Sequence, residues 1–447
     1  MSEVRVVQGI PNQLTVSAAP RPESTGQDPG GGGARLGWLD ALRGFAALAV
    51  VFQHAGPELM PGLYRPSHQW LDAGIFGVFL FFLISGYIVP ASLERRGDLR
   101  AFWTGRLFRI YPLYLVVFAA AMLLPRAHPG VAAEVFQHPW LSAAADGILL
   151  QDLLGVGNGL DVSWTLCYEM VFYYLVSALF LLRAHRRSVP VAVGFALTAL
   201  VLGPVLPRYL LVNAGWGEGP LVGAAALVVV VAMAAVLGGR TAGIRAGVVA
   251  LGLLGLLLVS VDGRSAVFES MMILATMFTG TVVQRAESGQ IRRGYAAACC
   301  GFVFLAGLLS GILYAGSSLN QIWTASAVSW CTAFVAAWLV FGLGLLLRKR
   351  PMPSALCRLG ALSYAVYLVH VPLLSVVEWV FDDTGYAPHR RLGQELLCGG
   401  GFLLLVLLVA EVLHRLVELP GQRVGRRLLK RADAHQGKAN LAGQRAG

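Results

Sequence analysis

The chain has 447 residues, of which 56% are hydrophobic and 13% charged, with a mean hydropathy of +0.66. Soluble domains carry about 25% charged residues, so this chain lacks the charge to cover a water-facing surface, and a soluble globular enzyme, a fibrous protein and a disordered chain are all excluded. A formal net charge of +11 would suggest nucleic acid in a soluble protein; here it predicts basic loops on one side of a bilayer and no nucleic-acid partner.

Residues 1–35 carry Pro, Ser and Gly, with a glycine run from Gly30 to Gly33, and read as a disordered cytoplasmic tail. No secretory signal precedes the first apolar segment, which starts near Leu36. From there, stretches long enough to cross about 30 Å of hydrocarbon recur at 36–55, 74–93, 107–125, 162–183, 189–211, 219–238, 244–262, 266–285, 294–316, 320–347, 360–381 and 395–418. Short loops between 219 and 285 leave the division there open, so the expected fold is an all-α, polytopic transmembrane bundle of about 10–12 spanning helices. The segment around Pro139–Leu154 is too polar to span and reads as amphipathic or re-entrant. The membrane domain is expected over 36–420, and 421–447 is a basic cytoplasmic tail.

Orientation follows from the basic residues. With the N-terminus in the cytoplasm, all Lys and Arg except Arg65, Arg126, Arg208, Arg264, Arg390 and Arg391 fall on the inner side. Both termini are therefore expected to be cytoplasmic. The six cysteines form no C-x-x-C pair, so neither a zinc site nor a disulfide framework is indicated and no metal is expected.

An ionisable residue inside a spanning helix costs on the order of 2.5–3.5 kcal/mol and is a functional candidate by default. The first helix carries Asp40, Arg43 and His54. Arg43 and His54 are eleven positions apart, which places them on one face about 16 Å apart along the axis. Arg43 could equally be a membrane-surface anchor paired with Asp40, and His54 an interfacial histidine. In the second helix, Phe81-Phe82-Leu83-Ile84-Ser85-Gly86-Tyr87 offers Gly86 for close packing and Ser85 as a polar contact.

Arg106 and Arg109 stand at i, i+3 at the mouth of the third helix, where two guanidinium groups could hold phosphates or simply anchor the loop. The fourth helix opens Ser163-Trp164-Thr165-Leu166 and carries Glu169 about two turns below the outer surface. At that depth Glu169 could orient the His54 imidazole for general-base work, or pair with an unrelated cation. Late in the chain, Ser363 to Pro372 occupies a helix with His370 near mid-membrane, open to a packing role or to lining a substrate path. Glu411, His414 and Glu418 share a face of the last helix and read as structural.

Taken in order, Leu39 to Gly44 with His54, Phe81 to Tyr87, Arg106 to Tyr114, Ser163 to Leu166 with Glu169 and Phe172-Tyr173, and Ser363-Tyr364 through Pro372 resemble the integral-membrane acyltransferase-3 family. The resemblance covers about 36–183 and 355–420, with the intervening helices alike only in character. It implies O-acyl transfer from a cytoplasmic acyl-CoA (acetyl or another short chain) to a hydroxyl of a carbohydrate, surface glycan or secondary metabolite. His54 would be the general base helped by Glu169, Arg43, Arg106 and Arg109 would hold the donor, and Ser85, Ser163, Trp164 and His370 would line the path. Expected partners are membrane lipid and a small-molecule or glycan acceptor, in a bacterial inner membrane. The competing reading is a multi-helix secondary transporter, against which stand the absence of matching halves and the clustering of ionisable residues in the first four helices.

Overall fold

The computed structural model describes residues 37–123, 135–206, 208–261, 263–314, 326–384 and 391–446, with side chains as far as residue 432 except that of Trp216. The expected tail over 1–35 lies outside the described residues. Among those residues there is no strand, and ten helices are long and apolar enough to cross a membrane. They include α3 (Ala73–Arg96), α4 (Leu99–Met122), α6 (Trp164–Leu181), α8 (Glu218–Leu237), α9 (Thr241–Val261) and α10 (Val267–Glu287). The others are α11 (Arg293–Tyr314), α12 (Ala327–Leu347), α13 (Ser354–Thr384) and α14 (Leu392–Leu413), the last continuing through one π-helical turn, His414–Glu418, into α15 (Leu419–Ala446).

Two further helices account for the remaining expected spans. Helix α1 (Gly37–Leu59) is long enough but carries Asp40, Arg43, Gln53 and His54. Helix α7 (Ser188–Leu202) has 15 residues, about 22 Å, and stops well short of the expected 211. Pro204 explains the early end, since it cannot donate into a continuing helix and constrains the residue before it. Residues 421–446, within the expected basic tail, continue the last helix.

Helix α10 is the most enclosed of the set, packed against α3, α7 and α11, while α1 lies between α13 and α3. Outward-facing leucines and valines such as Leu227, Val230, Leu253, Leu305, Leu339 and Leu397 stand on α8, α9, α11, α12 and α14 and form the apolar exterior.

Small residues set the helix crossings that frame the site. A Cβ on Gly86 would lie 1.7 Å from the Met277 carbonyl oxygen, so α3 and α10 touch backbone to backbone, as the sequence led one to expect of Gly86. The Thr281 hydroxyl donates to the Gly86 carbonyl (2.9 Å) at the same crossing. A Cβ on Gly360 would lie 1.8 Å from the Asp40 carbonyl oxygen, bringing α13 onto α1 one residue turn from Arg43. Gly360→Ala is therefore expected to destabilise the protein by about 1–3 kcal/mol through overpacking. Thermal melting in detergent measures it; an unchanged melt would mean that the two helices are free to separate.

The bundle has two unlike ends. At one, Arg285 pairs with Glu94, Arg348 with Glu287, and Arg358 and Arg415 with Glu411. The Asp98 carboxylate caps α4 there by accepting from the Arg100 and Ala101 amides at 2.8 and 3.2 Å, so the chain reverses sharply between α3 and α4. At the other end, α2 (Pro61–His68) folds back on α1, with the Gly62 amide donating to Glu395 at 3.0 Å. The short helix α5 (Pro139–Gly147), only about 13 Å long, lies at this second end. It is held where Tyr114 donates to Asp146 (3.0 Å) and Tyr111 to the Gly147 carbonyl (3.0 Å). Burial of Asp146 pushes its carboxyl up to about 7.

Candidate active site

A cavity of about 100 Å³ lies among α1, α3, α4, α6 and α13. Arg43, Arg106 and Arg109 line it together with Ser85, Glu169 and Tyr173. The i, i+3 spacing of Arg106 and Arg109 puts both guanidinium groups on one face of α4, and the tight turn before α4 returns that face to the end of α3. Arg106 donates to the Ser92 hydroxyl at 3.1 Å and lies over the rings of Phe102 and Tyr173, 5.3 and 5.1 Å from their centroids. Tyr364, also in the cavity wall, donates to the Ile110 carbonyl at 2.8 Å and so ties α13 to α4 beside Arg109. Glu169 accepts from the Tyr173 hydroxyl one turn further along α6. The salt bridges among the described residues involve none of the three arginines. The lining thus holds three arginines and one carboxylate, with Asp40 and Glu418 also near Arg43, and its own charge is net positive and suited to an anion.

His54 lies beyond the wall of this cavity. Its Nδ1 is 2.9 Å from the Val50 carbonyl oxygen and 3.2 Å from Nε2 of His370, which is completely buried. The two rings are 5.0 Å apart between centroids, and Tyr367 stands 5.9 Å from His370. Tyr367 and Phe81 belong to the cavity lining and also pack with Val50, Val162 and Val371, so they form the partition between the arginines and the histidines. The Tyr367 hydroxyl is fixed by Thr165 Oγ1 (2.8 Å) and the Val162 carbonyl (3.0 Å). Asp72, the N-cap of α3, faces His54 and His68; burial pushes its carboxyl up, opposed by the Ile75 amide and by those histidines.

The structure thus groups Arg43, Arg106, Arg109, Ser85 and Glu169 in one cavity, and His54 with His370 beside it. It joins Glu169 to Tyr173 and the arginines, whereas the expected pairing was with His54. Counting residues gives depth along a helix but not the direction in which a side chain on a neighbouring helix points. Ser163 also lies elsewhere: its buried hydroxyl accepts from Gln151 at 2.7 Å and donates to the Leu160 carbonyl at 2.6 Å, fastening the turn ahead of α6. Trp164 is half-buried, packs edge-on to Tyr168 and is not in the cavity wall. Sequence reasoning missed Thr165, Tyr173, Ser363 and Tyr367, all of which line the cavity. A signal existed for two of them, because Ser363, Tyr367 and His370 follow i, i+4, i+7 and share a face of α13. His414 and Glu418 pair with each other at 2.7 Å, in keeping with a structural role.

The profile of the acyltransferase-3 family, described as an acyltransferase domain, matches residues 36–413, and the chain belongs to that family. With its ten long apolar helices it is a multi-pass membrane protein. Among curated relatives, a Staphylococcus aureus protein provisionally named an O-acetyltransferase is 30% identical over 151 residues, covering 30% of this chain and 23% of that protein. A Bacillus subtilis protein provisionally named a peptidoglycan O-acetyltransferase is 26% identical over 188 residues, 38% of this chain and 28% of its own length. The acyltransferase MdmB of Streptomyces mycarofaciens is 30% identical over 148 residues, 31% of this chain and 38% of its own length. The chain spans well under half of each of these relatives. No solved structure matches it.

Proposed function

We propose that this protein is an O-acyltransferase that moves an acyl group from cytoplasmic acyl-CoA to a hydroxyl of a carbohydrate, cell-surface glycan or secondary metabolite. The observation that carries the reading is the cavity whose lining brings Arg43, Arg106 and Arg109 together with Glu169, in a chain of the acyltransferase-3 family. Coenzyme A is rich in phosphate, and guanidinium groups suit phosphate oxygens in geometry and charge. On this reading the phosphates meet the arginines, and the pantetheine arm lies beside Ser85, Thr165 and Tyr367 in the same cavity. No metal is required by this chemistry, and the outward leucines and valines meet bilayer lipid in a bacterial inner membrane.

The reaction needs a base for the acceptor hydroxyl. His54 takes the hydroxyl proton as the oxygen attacks the thioester carbonyl; the new C–O bond forms, the C–S bond breaks, and the proton passes to the departing thiolate. The acyl end reaches His54 past the Tyr367–Phe81 partition. Glu169 tempers the positive charge of the arginines and holds Tyr173 under Arg106.

The reading requires the arginine end to face the cytoplasm. In Trp140→Cys, the new thiol replaces a side chain that is 86% exposed on α5 at the opposite end. A membrane-impermeant thiol reagent added to intact cells is expected to label it while leaving Cys357, at the arginine end, unlabelled. Labelling of Cys357 alone would invert the orientation. Enzymology tests the activity itself: purified protein in nanodiscs, given isotopically labelled acetyl-CoA and a host glycan fraction, is expected to release free coenzyme A and form labelled ester. Failure to bind acetyl-CoA or any other short-chain acyl-CoA would sink the proposal.

A further inference from the structure

Each of the two imidazoles beside the cavity contacts a carbonyl oxygen of its own helix through Nδ1: His54 with Val50 at 2.9 Å, His370 with Val366 at 3.1 Å. A carbonyl oxygen only accepts, so each Nδ1 carries a hydrogen, and a neutral ring protonated there has a bare Nε2. The bare Nε2 of His370 lies 3.2 Å from His54 Nδ1, so the single hydrogen on that nitrogen is shared between the Val50 carbonyl oxygen and the His370 lone pair. A hydrogen on His370 Nε2 would set two N–H groups against each other. That leaves one imidazole nitrogen without a hydrogen-bond partner among the described residues, Nε2 of His54, and it is bare.

From this geometry we propose that His370 is a positioning residue for acyl transfer. Resting on the reading of His54 as general base, it fixes the tautomer in which His54 Nε2 is the free base, and it accepts from Nδ1–H more strongly once His54 becomes imidazolium. The arrangement does the work of the orienting carboxylate in a Ser-His-Asp triad. His370 is completely buried, with the Tyr367 ring 5.9 Å away, so it is held in place as an uncharged acceptor for the His54 N–H. Of the titratable groups near the pair, Tyr367 lies beside His370 on α13 and Asp72, at the start of α3, acts on His54. Glu169 is engaged with Tyr173 in the arginine cavity.

Two replacements separate an acceptor from a space-filler: Gln puts a carbonyl oxygen near the place of the His370 Nε2, and Leu keeps only the bulk. With labelled acetyl-CoA and a host glycan fraction, His370→Leu is expected to lower kcat by about 10- to 10³-fold with both KM values within about twofold. His370→Gln is expected to recover kcat to within about fivefold of wild type. A purely structural role predicts no such difference between equally stable variants. A Leu variant with wild-type kcat, or Gln and Leu variants equally impaired, would overturn the proposal. Nitrogen-15 NMR of histidine-labelled wild-type protein, with His54→Ala to assign the signal, gives a reading that needs no His370 variant. The expected spectrum has His54 protonated at Nδ1 and bare at Nε2, and the reverse would overturn the proposal. His54→Ala with normal turnover would instead defeat the general-base reading itself.

Discussion

His54→Ala is expected to lower acyl transfer by at least about 10², the usual size of a general-base contribution, while the protein stays folded and inserted. Its ring contacts are one imidazole and one carbonyl of its own helix, so their loss is small beside that of a whole bundle. Donor binding should survive, because Arg43 lies about 16 Å down the same helix and across the Tyr367–Phe81 partition. Measured together, turnover, coenzyme A binding and thermal melting separate the outcomes. Near-normal turnover in a folded His54→Ala protein removes this residue from the chemistry.

Arg109→Ala is expected to act on the other half of the reaction. Loss of a charge-assisted hydrogen bond costs roughly 1.5–3 kcal/mol, so KM for the acyl-CoA should rise roughly ten- to hundredfold with kcat changed much less. Arg106→Ala should do the same and also lower the melting temperature, because Arg106 packs on Phe102 and Tyr173 and bonds Ser92. Glu169→Gln should likewise change the donor KM more than kcat, since its carboxylate stands among the arginines. If both arginine variants keep wild-type donor kinetics, the pair is a membrane anchor and nothing more.

The sequence made the helical bundle legible because hydrophobic length and the scarcity of charge are set by the bilayer rather than by tertiary detail. The short α7 departs from its apolar run for a local reason, Pro204, which hydropathy alone does not register. In the site, residues related within one helix were readable: Arg106 with Arg109 by i, i+3, and Gly86 by the lack of a side chain at a crossing. Pairings between helices were not. Glu169 and His54 stand at similar depths by residue count, yet rotation of α6 turns Glu169 toward the arginines, while α13 brings His370 to His54. The Gly360 contact that seats α13 on α1 was equally invisible, because it joins residues 320 positions apart.

On the proposed reading the protein esterifies a hydroxyl with an acyl group taken from coenzyme A, using His54. Mass spectrometry of surface glycans and secreted small molecules tests it most directly, in cells that lack the protein, carry it, or carry His54→Ala. The expected result is an acyl-ester mass increment that is removable by mild base, present only with the wild-type protein, and labelled when the cellular acyl-CoA pool is labelled. Identical profiles in all three strains, or an increment that persists with His54→Ala, would contradict it.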